Sequence, residues 1–175
     1  MTDLDPDVIR RMLDEAEAGA NADERGKKYE ALLVYVFESV EGALVVANTK
    51  NYFGAEQVDL AVSHGGEFLG LPDKFLVECK NYGHPVDSKA VGYFLFICVS
   101  RKAELAVVAA ADGLTGEPND MTYAYSLAMS ASVMGCRLIV ITKADLLALT
   151  STADLIDLLR RRYLHAWANA GIGVG

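Results

Sequence analysis

The segment FLVECKN, residues 75–81, places two charged side chains inside an apolar stretch of strand length. Side chains alternate between the two faces of a strand, so Glu78 and Lys80 share one face while Val77 and Cys79 occupy the other. An acid and a lysine at this spacing are, by themselves, most often a solvated pair. The apolar residues around them are instead typical of a central strand, where an unpaired charge is costly. We therefore expect a functional reason for this pair.

The preceding strand candidate, QVDLAVS at residues 57–63, contains one acidic residue, Asp59. If the two strands pair across the connection at 64–73, Asp59 lies beside Glu78. Two neighbouring carboxylates repel each other, and a shared Mg²⁺ removes that penalty because hard cations bind carboxylate oxygens. Lys80 adds a point charge next to a metal-bound water or a phosphate oxygen. Asp, Glu and Lys in this arrangement are suited to the attack on a phosphate group.

Hydrophobic periodicity divides the rest of the chain into helices that alternate with short apolar strands. The first three strands form a meander, and the later strands are separated by helices. This order predicts an α/β fold with a mixed central sheet flanked by helices. Helices are expected at 4–18, 27–40, 86–102, 121–134 and 151–168, the last capped by Ser151, and strands at 43–48, 57–63, 74–80, 104–111 and 136–142.

Composition limits the classes of function. The chain has 175 residues, of which 52% are hydrophobic and 23% charged, as in a globular protein. No apolar run reaches the ~18 residues of a membrane helix, and the acidic N-terminus does not match a signal peptide. We expect a cytoplasmic protein without a membrane partner. The three cysteines lie in apolar surroundings without CxxC spacing, which predicts buried thiols and not a zinc site: Cys79, Cys98 and Cys136.

The negative charge is concentrated at one end of the chain. The net charge is −8, and residues 1–24 carry −6 of it, with eight acidic and two basic residues. We divide the chain into an acidic N-terminal helix or arm, 1–24, and a domain at 25–175. The nearly neutral domain permits a nucleic-acid site and is compatible with a partner protein that delivers the substrate.

Five segments, in order, resemble the PD-(D/E)xK nuclease superfamily, in particular the Mrr-type restriction endonucleases. They are GKKYEALLVYVFE (26–38), GAEQVDLAV (54–62), FLVECKNYGHPV (75–86), LAVVAAADGLTGEPND (105–120) and CRLIVITKADLLAL (136–149). The resemblance spans roughly residues 26–149, and its ordered series is more specific than any single motif. It implies a restriction-endonuclease-like αβββαβ core, here followed by an additional αβα segment.

The same resemblance implies a role for each candidate catalytic residue. Asp59 and Glu78 would bind the metal together with the main-chain carbonyl of Cys79, and Glu30 would help directly or through water. Lys80 would orient or activate the attacking water. The implied activity is Mg²⁺-dependent hydrolysis of phosphodiester bonds by a DNA endonuclease of the restriction or defence type, with Mn²⁺ as a substitute. DNA is the expected partner, and cutting a duplex favours a homodimer.

Further polar residues are candidates for contacts with the substrate. Some relatives carry glutamine and tyrosine four residues apart on the second core helix, where this chain has Lys89 and Tyr93. The basic start of the first core helix, at residues 25–28, favours negative neighbours. The arginines at 160–162 are interpreted as a solvated helix end in preference to a nucleic-acid patch. The candidate substrate contacts are Lys27, Lys28, Asn81, His84 and Lys89.

The chain departs from the family, and two other functions remain open. Gln57 and Val58 precede the strand acid where the superfamily name has proline, and no separate DNA-reading module is evident. One alternative is a catalytically inactive nuclease fold that serves as an interaction subunit of a defence or repair complex, through residues 1–24 or the small-residue helix at 121–134. The other is a metal-dependent RNase, which has the same chemistry.

Overall fold

The structure is a computed structural model, and it describes residues 4–50, 57–81 and 83–174. Its helices are Pro6–Glu17 (α1), Ala22–Glu38 (α2), Ser88–Ser100 (α3), Pro118–Val133 (α4), Lys143–Ala148 (α5) and Thr152–Asn169 (α6). Its strands are Leu44–Lys50 (β1), Gln57–Ser63 (β2), Lys74–Lys80 (β3), Leu105–Ala110 (β4), Arg137–Ile141 (β5) and Ile172–Gly173 (β6). No helix in these ranges is both long enough and apolar enough to cross a bilayer.

The strands form one mixed sheet in the spatial order β1-β2-β3-β4-β5-β6. The first three strands are antiparallel neighbours, and β3 to β6 run parallel to one another. Helices lie on both faces, so the predicted α/β class with a mixed, flanked sheet is confirmed. The order α2-β1-β2-β3-α3-β4 is the expected αβββαβ core, and α4, β5 and α6 follow it.

The two faces of the sheet are covered unequally. On the first face, α1, α2, α5 and α6 pack against residues such as Leu60 and Val77 in one continuous core. On the second face, α3 and α4 pack mainly over β4, β5 and β6. The second face of β1 carries Leu44 and Val46, which are 64% and 45% exposed. The half of the second face formed by β1, β2 and β3 is therefore open.

The strands around the candidate site lie where the sequence predicts them, whereas several helix ends do not. Strands 57–63 and 74–80 match β2 and β3, and Ser151 caps α6 as expected. The prediction that the first core helix begins at residue 27 is wrong. It begins at Ala22, because the Asn21 side chain accepts a hydrogen bond from the backbone N–H of Glu24. Helix α4 begins before residue 121 for the same reason, with Glu117 as its cap.

The acidic N-terminal segment packs on the domain. Ile9, Leu13 and Ala16 of α1 are buried in the first-face core. The predicted boundary between residues 24 and 25 falls inside α2. This helix begins in the acidic segment, at Ala22, and continues into the domain. The three cysteines are buried and free, as predicted.

Candidate functional site

Asp59 and Glu78 lie on neighbouring strands and on the same face of the sheet. The antiparallel ladder between β2 and β3 includes the pair Leu60–Val77, and the same register continued by one residue sets Asp59 opposite Glu78. Leu60 and Val77 belong to the first-face core, so the alternation of side chains directs both acids to the second face. Facing side chains of an antiparallel pair have Cβ atoms about 4.5–5.5 Å apart in a regular ladder. The fold thus brings together the two acids that the sequence singles out.

The backbone of Cys79 points toward the same gap between β2 and β3. Its N–H donates to Oδ2 of Asp59 at 2.7 Å, in place of a ladder partner. The N–H and C=O of one strand residue point to the same side, so the Cys79 carbonyl is also directed toward β2. The next carbonyl, that of Lys80, points the other way and accepts from the N–H of Ala111 at 2.9 Å. Three oxygen atoms that could bind a metal thus face this gap, from the side chains of Asp59 and Glu78 and the main chain of Cys79.

Lys80 and Glu78 form a shielded ion pair. Nζ of Lys80 lies 2.5 Å from Oε1 of Glu78, and the two side chains expose only 17% and 14% of their surface. This burial excludes the interpretation as a solvated surface pair. Two charges held away from water require further electrostatic compensation.

The acids of the site are held in surroundings that favour their neutral forms. Burial raises the pKa of Glu78, and the charge of Asp59 raises it further, while Lys80 offsets part of the effect. Burial also raises the pKa of Asp59, against the opposing hydrogen bond from Cys79 and the charge of Lys80. A divalent cation at this position would favour the ionised forms of both acids. Perturbed carboxyl groups of this kind are enriched at functional sites.

Glu30 is held at the edge of this site by Asn48, a residue that the sequence analysis did not select. The Asn48 amide donates to Oε1 of Glu30 and accepts from Nε2 of Gln57 at 2.9 Å. Burial raises the pKa of Glu30, and the charge of Asp59 contributes. The flanking β1–β2 pairs, Ala47–Leu60 and Thr49–Val58, place Asn48 across from Asp59 at a break in the ladder. Its left-handed φ of 55° is one that asparagine tolerates better than most residues.

The candidate substrate contacts lie in three different places. His84 and Lys89 line a shallow groove of about 360 Å³ at the start of α3, together with Tyr93. Lys27 and Lys28 are instead paired with acids one turn earlier on α2, at 2.7 Å from Asp23 and from Glu24 respectively. Asn81 is buried directly after β3.

An open cavity of about 470 Å³ lies on the second face of β1, β2 and β3. Its floor includes Val46, Ala61 and Leu76, and its rim includes Arg101 and Lys102 beyond the end of α3. The register aligns Val46 with Ala61 and Ala61 with Leu76, two residues along each strand from the row that carries Asp59 and Glu78. The site therefore shares its sheet face with a groove lined by both basic and acidic residues, among them Arg101, Lys102, Asp73 and Glu104.

The candidate ligand atoms of Asp59, Glu78 and the Cys79 main chain are all oxygen atoms, which hard cations such as Mg²⁺ prefer. In the described ranges, no group of three or more His, Cys, Asp or Glu side chains could hold a metal ion. A closed zinc site needs such a group. Mg²⁺ usually keeps several waters and is bound by one or two carboxylates together with substrate phosphate. Asp59, Glu78 and the Cys79 carbonyl supply a set of that kind.

No family model matches this chain, and no curated protein matches it.

Proposed function

We propose that the chain is a Mg²⁺-dependent nuclease of the PD-(D/E)xK type that hydrolyses phosphodiester bonds in DNA. The observation that carries the proposal is the shielded set of Asp59, Glu78 and Lys80 on one sheet face, beside an open groove. A structural role alone gives no physical reason to place two carboxylates where burial opposes their ionisation, next to a shielded lysine.

Each residue has a distinct role in the proposed reaction. When bound, the cation supplies an activated water and neutralises phosphate oxygens. Asp59 and Glu78 provide its carboxylate ligands, and Asn48 fixes Glu30 at the edge of the set. Lys80 holds its ammonium group on the same face as Glu78, where it can orient the attacking water and stabilise the charge that develops on the phosphate.

Cations in the grooves on this face would contact a polyanionic substrate, although the same grooves also contain Asp73, Glu104 and Asp87. Arg101 and Lys102 border the open cavity just after the last residue of α3. His84 and Lys89 border the second groove, at the first turn of α3. Cations at both ends of α3 would contact phosphates of a strand that crosses the site. The chain carries −8 overall, so these local cations have to overcome the repulsion between the remaining acids and the substrate.

The first test is digestion of supercoiled plasmid, linear duplex and single-stranded RNA in Mg²⁺, Mn²⁺ or EDTA. Wild type should cut DNA only with a metal, and we expect Lys80→Ala to lower the rate by at least about 100-fold because a charge-stabilising group is lost. Arg10→Ala is the matched control, since Arg10 is an exposed cation paired with Asp7 on α1. Preferential cutting of RNA would replace the substrate in the proposal. No cutting of any substrate by wild type in either metal would contradict nuclease activity.

Metal binding should be measurable without catalysis. A ligand that binds only the folded state at 100 times its Kd stabilises by about 2.7 kcal/mol, which raises the Tm of a chain of this size by roughly 5–10 °C. We expect that increase for wild type with Mg²⁺ or Mn²⁺ in a thermal melt, and its loss in Asp59→Asn. Asp157→Asn changes an exposed carboxylate on α6 and should respond as wild type does. An equal response of all three proteins would show that the metal does not bind at Asp59.

One observation favours the alternative of an interaction subunit, namely a large exposed apolar surface on α3 and α4. A subunit of that kind would keep its partner when Asp59 and Glu78 are both replaced by alanine. It would also show no metal-dependent cutting in the wild type. The plasmid digestion therefore separates the two functions.

A further inference from the structure

Helices α3 and α4 present large apolar side chains to solvent, on either side of a stripe of hydroxyl residues on α4. Gly92 of α3 contacts α4 so closely that an added Cβ would lie 3.0 Å from Leu127. Phe96 and Tyr123 lie one turn along from these two contact residues, so they extend the same surface. Single exposed apolar residues are common, whereas contiguous patches mark interaction sites. The α3–α4 surface consists of Tyr93, Phe96, Tyr123, Leu127, Met129, Val133 and Met134, which are 38–86% exposed.

The α3–α4 surface is almost free of charge. Residues 121–135 contain no charged residue, and Lys89 is the one charged residue within α3. Other helices carry exposed ion pairs on their outer faces, such as Asp23 with Lys27 and Asp157 with Arg161. A surface that lacks charges is inexpensive to remove from water.

The polar side chains of this surface are already hydrogen-bonded within the helix. The hydroxyl groups of Thr122, Ser126 and Ser130 donate to the carbonyl groups four residues earlier, at 2.8, 2.9 and 2.9 Å. Such bonds satisfy the hydroxyl protons without water. These three residues therefore form a narrow stripe that can be buried without losing donors.

We propose that the α3–α4 surface is the contact of a homodimer. In a chain with a net charge of −8, two copies that meet through their acidic faces would repel each other, whereas this surface avoids that repulsion. It also carries both halves of a self-complementary contact. The ridge of Tyr123 and Leu127 lies beside the stripe of Thr122, Ser126 and Ser130, so a twofold axis can place each ridge in the opposite stripe.

The exposed area is sufficient for a stable contact. A buried aromatic side chain contributes about 150–250 Å², so three aromatic residues that are more than half exposed offer roughly 300 Å². Leu127, Met129, Val133 and Met134 add a similar area. With the small residues between them, the surface approaches the ~800 Å² per partner of a standard interface.

The dimer would turn its two candidate sites toward the interface between the copies. Asp59 and Glu78 lie on the sheet face that α3 and α4 partly cover, so both sites open toward the side on which the copies meet. Two sites in this arrangement suit the cutting of both strands of a duplex. This consequence rests on the proposed function, whereas the dimer does not.

Sedimentation velocity on the full chain tests the dimer independently of catalysis. Wild type should sediment at twice the mass of one chain at micromolar concentrations. Phe96→Glu with Tyr123→Glu should sediment as a single chain, since like charges across an apolar contact cost several kcal/mol and raise the Kd by more than about 100-fold. Leu164→Glu is the matched control, because Leu164 is 63% exposed on α6 and should leave the dimer intact.

A charge-reversed pair, with both variants shown to be folded by cooperative thermal melts, distinguishes a lost contact from a lost fold. Phe96→Lys with Tyr123→Lys should also be monomeric, and its mixture with the glutamate variant should restore the dimer mass. Restoration requires both variants to be folded and the substituted positions to face each other. A single-chain mass for wild type, a dimeric glutamate variant, or a mixture that stays monomeric would each overturn the proposal.

Discussion

Asp59→Asn should abolish metal-dependent cleavage and, at the same time, raise the Tm of the metal-free protein. Loss of a carboxylate ligand should lower the cleavage rate by about 10³-fold or more, since electrostatic stabilisation of the reacting phosphate depends on it. The effect on stability has the opposite sign because, in the absence of metal, the ionised form of Asp59 destabilises the folded protein. Burial raises its pKa, and its charge raises the pKa of Glu78 and of Glu30.

Asparagine removes the charge and retains the local hydrogen bond. Its Oδ1 can accept from the N–H of Cys79, as the Asp59 carboxylate does. Each kcal/mol of relief would raise the Tm by about 2–4 °C in a chain of this length. Because the folded-state pKa of Asp59 is raised, the cost of its ionisation appears as pH rises through that pKa. The gain in Tm of Asp59→Asn over wild type should therefore be present at pH 7 and become smaller as the pH is lowered.

Glu78→Gln is the informative companion variant in the same melts. It should also abolish cleavage, but it leaves the partly buried ammonium of Lys80 without its 2.5 Å carboxylate partner. We therefore expect a smaller gain in Tm than for Asp59→Asn, or a loss. Retained cleavage in Asp59→Asn would show that Asp59 is not a ligand, and a lower Tm for it would contradict the argument from burial.

The part of the site that could be predicted from the sequence follows from strand periodicity. Alternation along residues 57–63 and 74–80 assigns Asp59, Glu78 and Lys80 to one face, and a meander brings neighbouring strands together. The predicted first and last residues of both strands match those of β2 and β3, because each strand is short, apolar and followed by residues that break the alternating pattern. For these two strands, the alternation in the sequence and the pairing in the folded sheet specify the same positions.

Asn48 could not be predicted in the same way. It stands within the β1 sequence LVVANTK, and its importance depends on contacts with Glu30 on α2 and Gln57 on β2. Periodicity carries no information about which helix lies next to a strand. The available signal was weak, since the predicted strand, 43–48, ends at Asn48 and asparagine is a poor strand former.

The arginines at 160–162 show how a local interpretation can be wrong for one member of a group. Successive helix residues point about 100° apart, so three arginines in a row cannot share one environment. Arg161 lies in an exposed pair with Asp157, whereas Arg162 is buried. Arg162 continues the buried stripe of α6 formed by Leu155, Leu159 and Ala166, a spacing that could have identified it. Its partner, Asp145, lies on α5, which was too short for periodicity to predict.

Arg162 links three elements of the first-face core. Its guanidinium group donates to both carboxylate oxygens of Asp145, at 2.6 and 2.7 Å, and to the carbonyl of Val140 on β5. Asp145 also accepts from the backbone N–H and the hydroxyl of Thr142, which caps α5. Burial would raise the pKa of Asp145, but the hydrogen bonds from Arg162 and Thr142 outweigh it and hold that pKa below its usual value.

Arg162→Met should therefore be the most destabilising of the substitutions considered. Removing one partner of a buried pair costs about 3–5 kcal/mol, which corresponds to a fall in Tm of roughly 10 °C or more for a chain of this length. Arg161→Met, its neighbour in the exposed pair with Asp157, should cost less than about 1 kcal/mol. Thermal melts of the two variants at pH 7 give the comparison. Similar Tm values for both would show that the buried pair contributes little.

The pH dependence of these melts identifies Asp145 as the source of the effect. Because its folded-state pKa is lowered, its contribution is present above its unfolded pKa of about 3.9 and is lost as pH falls through the folded value. The difference between wild type and Arg162→Met should be largest near neutral pH and narrow below that value. Asp145→Asn combined with Arg162→Met should cost less than the sum of the two single substitutions, since both remove the same interaction. Additive costs would mean that Arg162 stabilises the fold through Val140 and its packing alone.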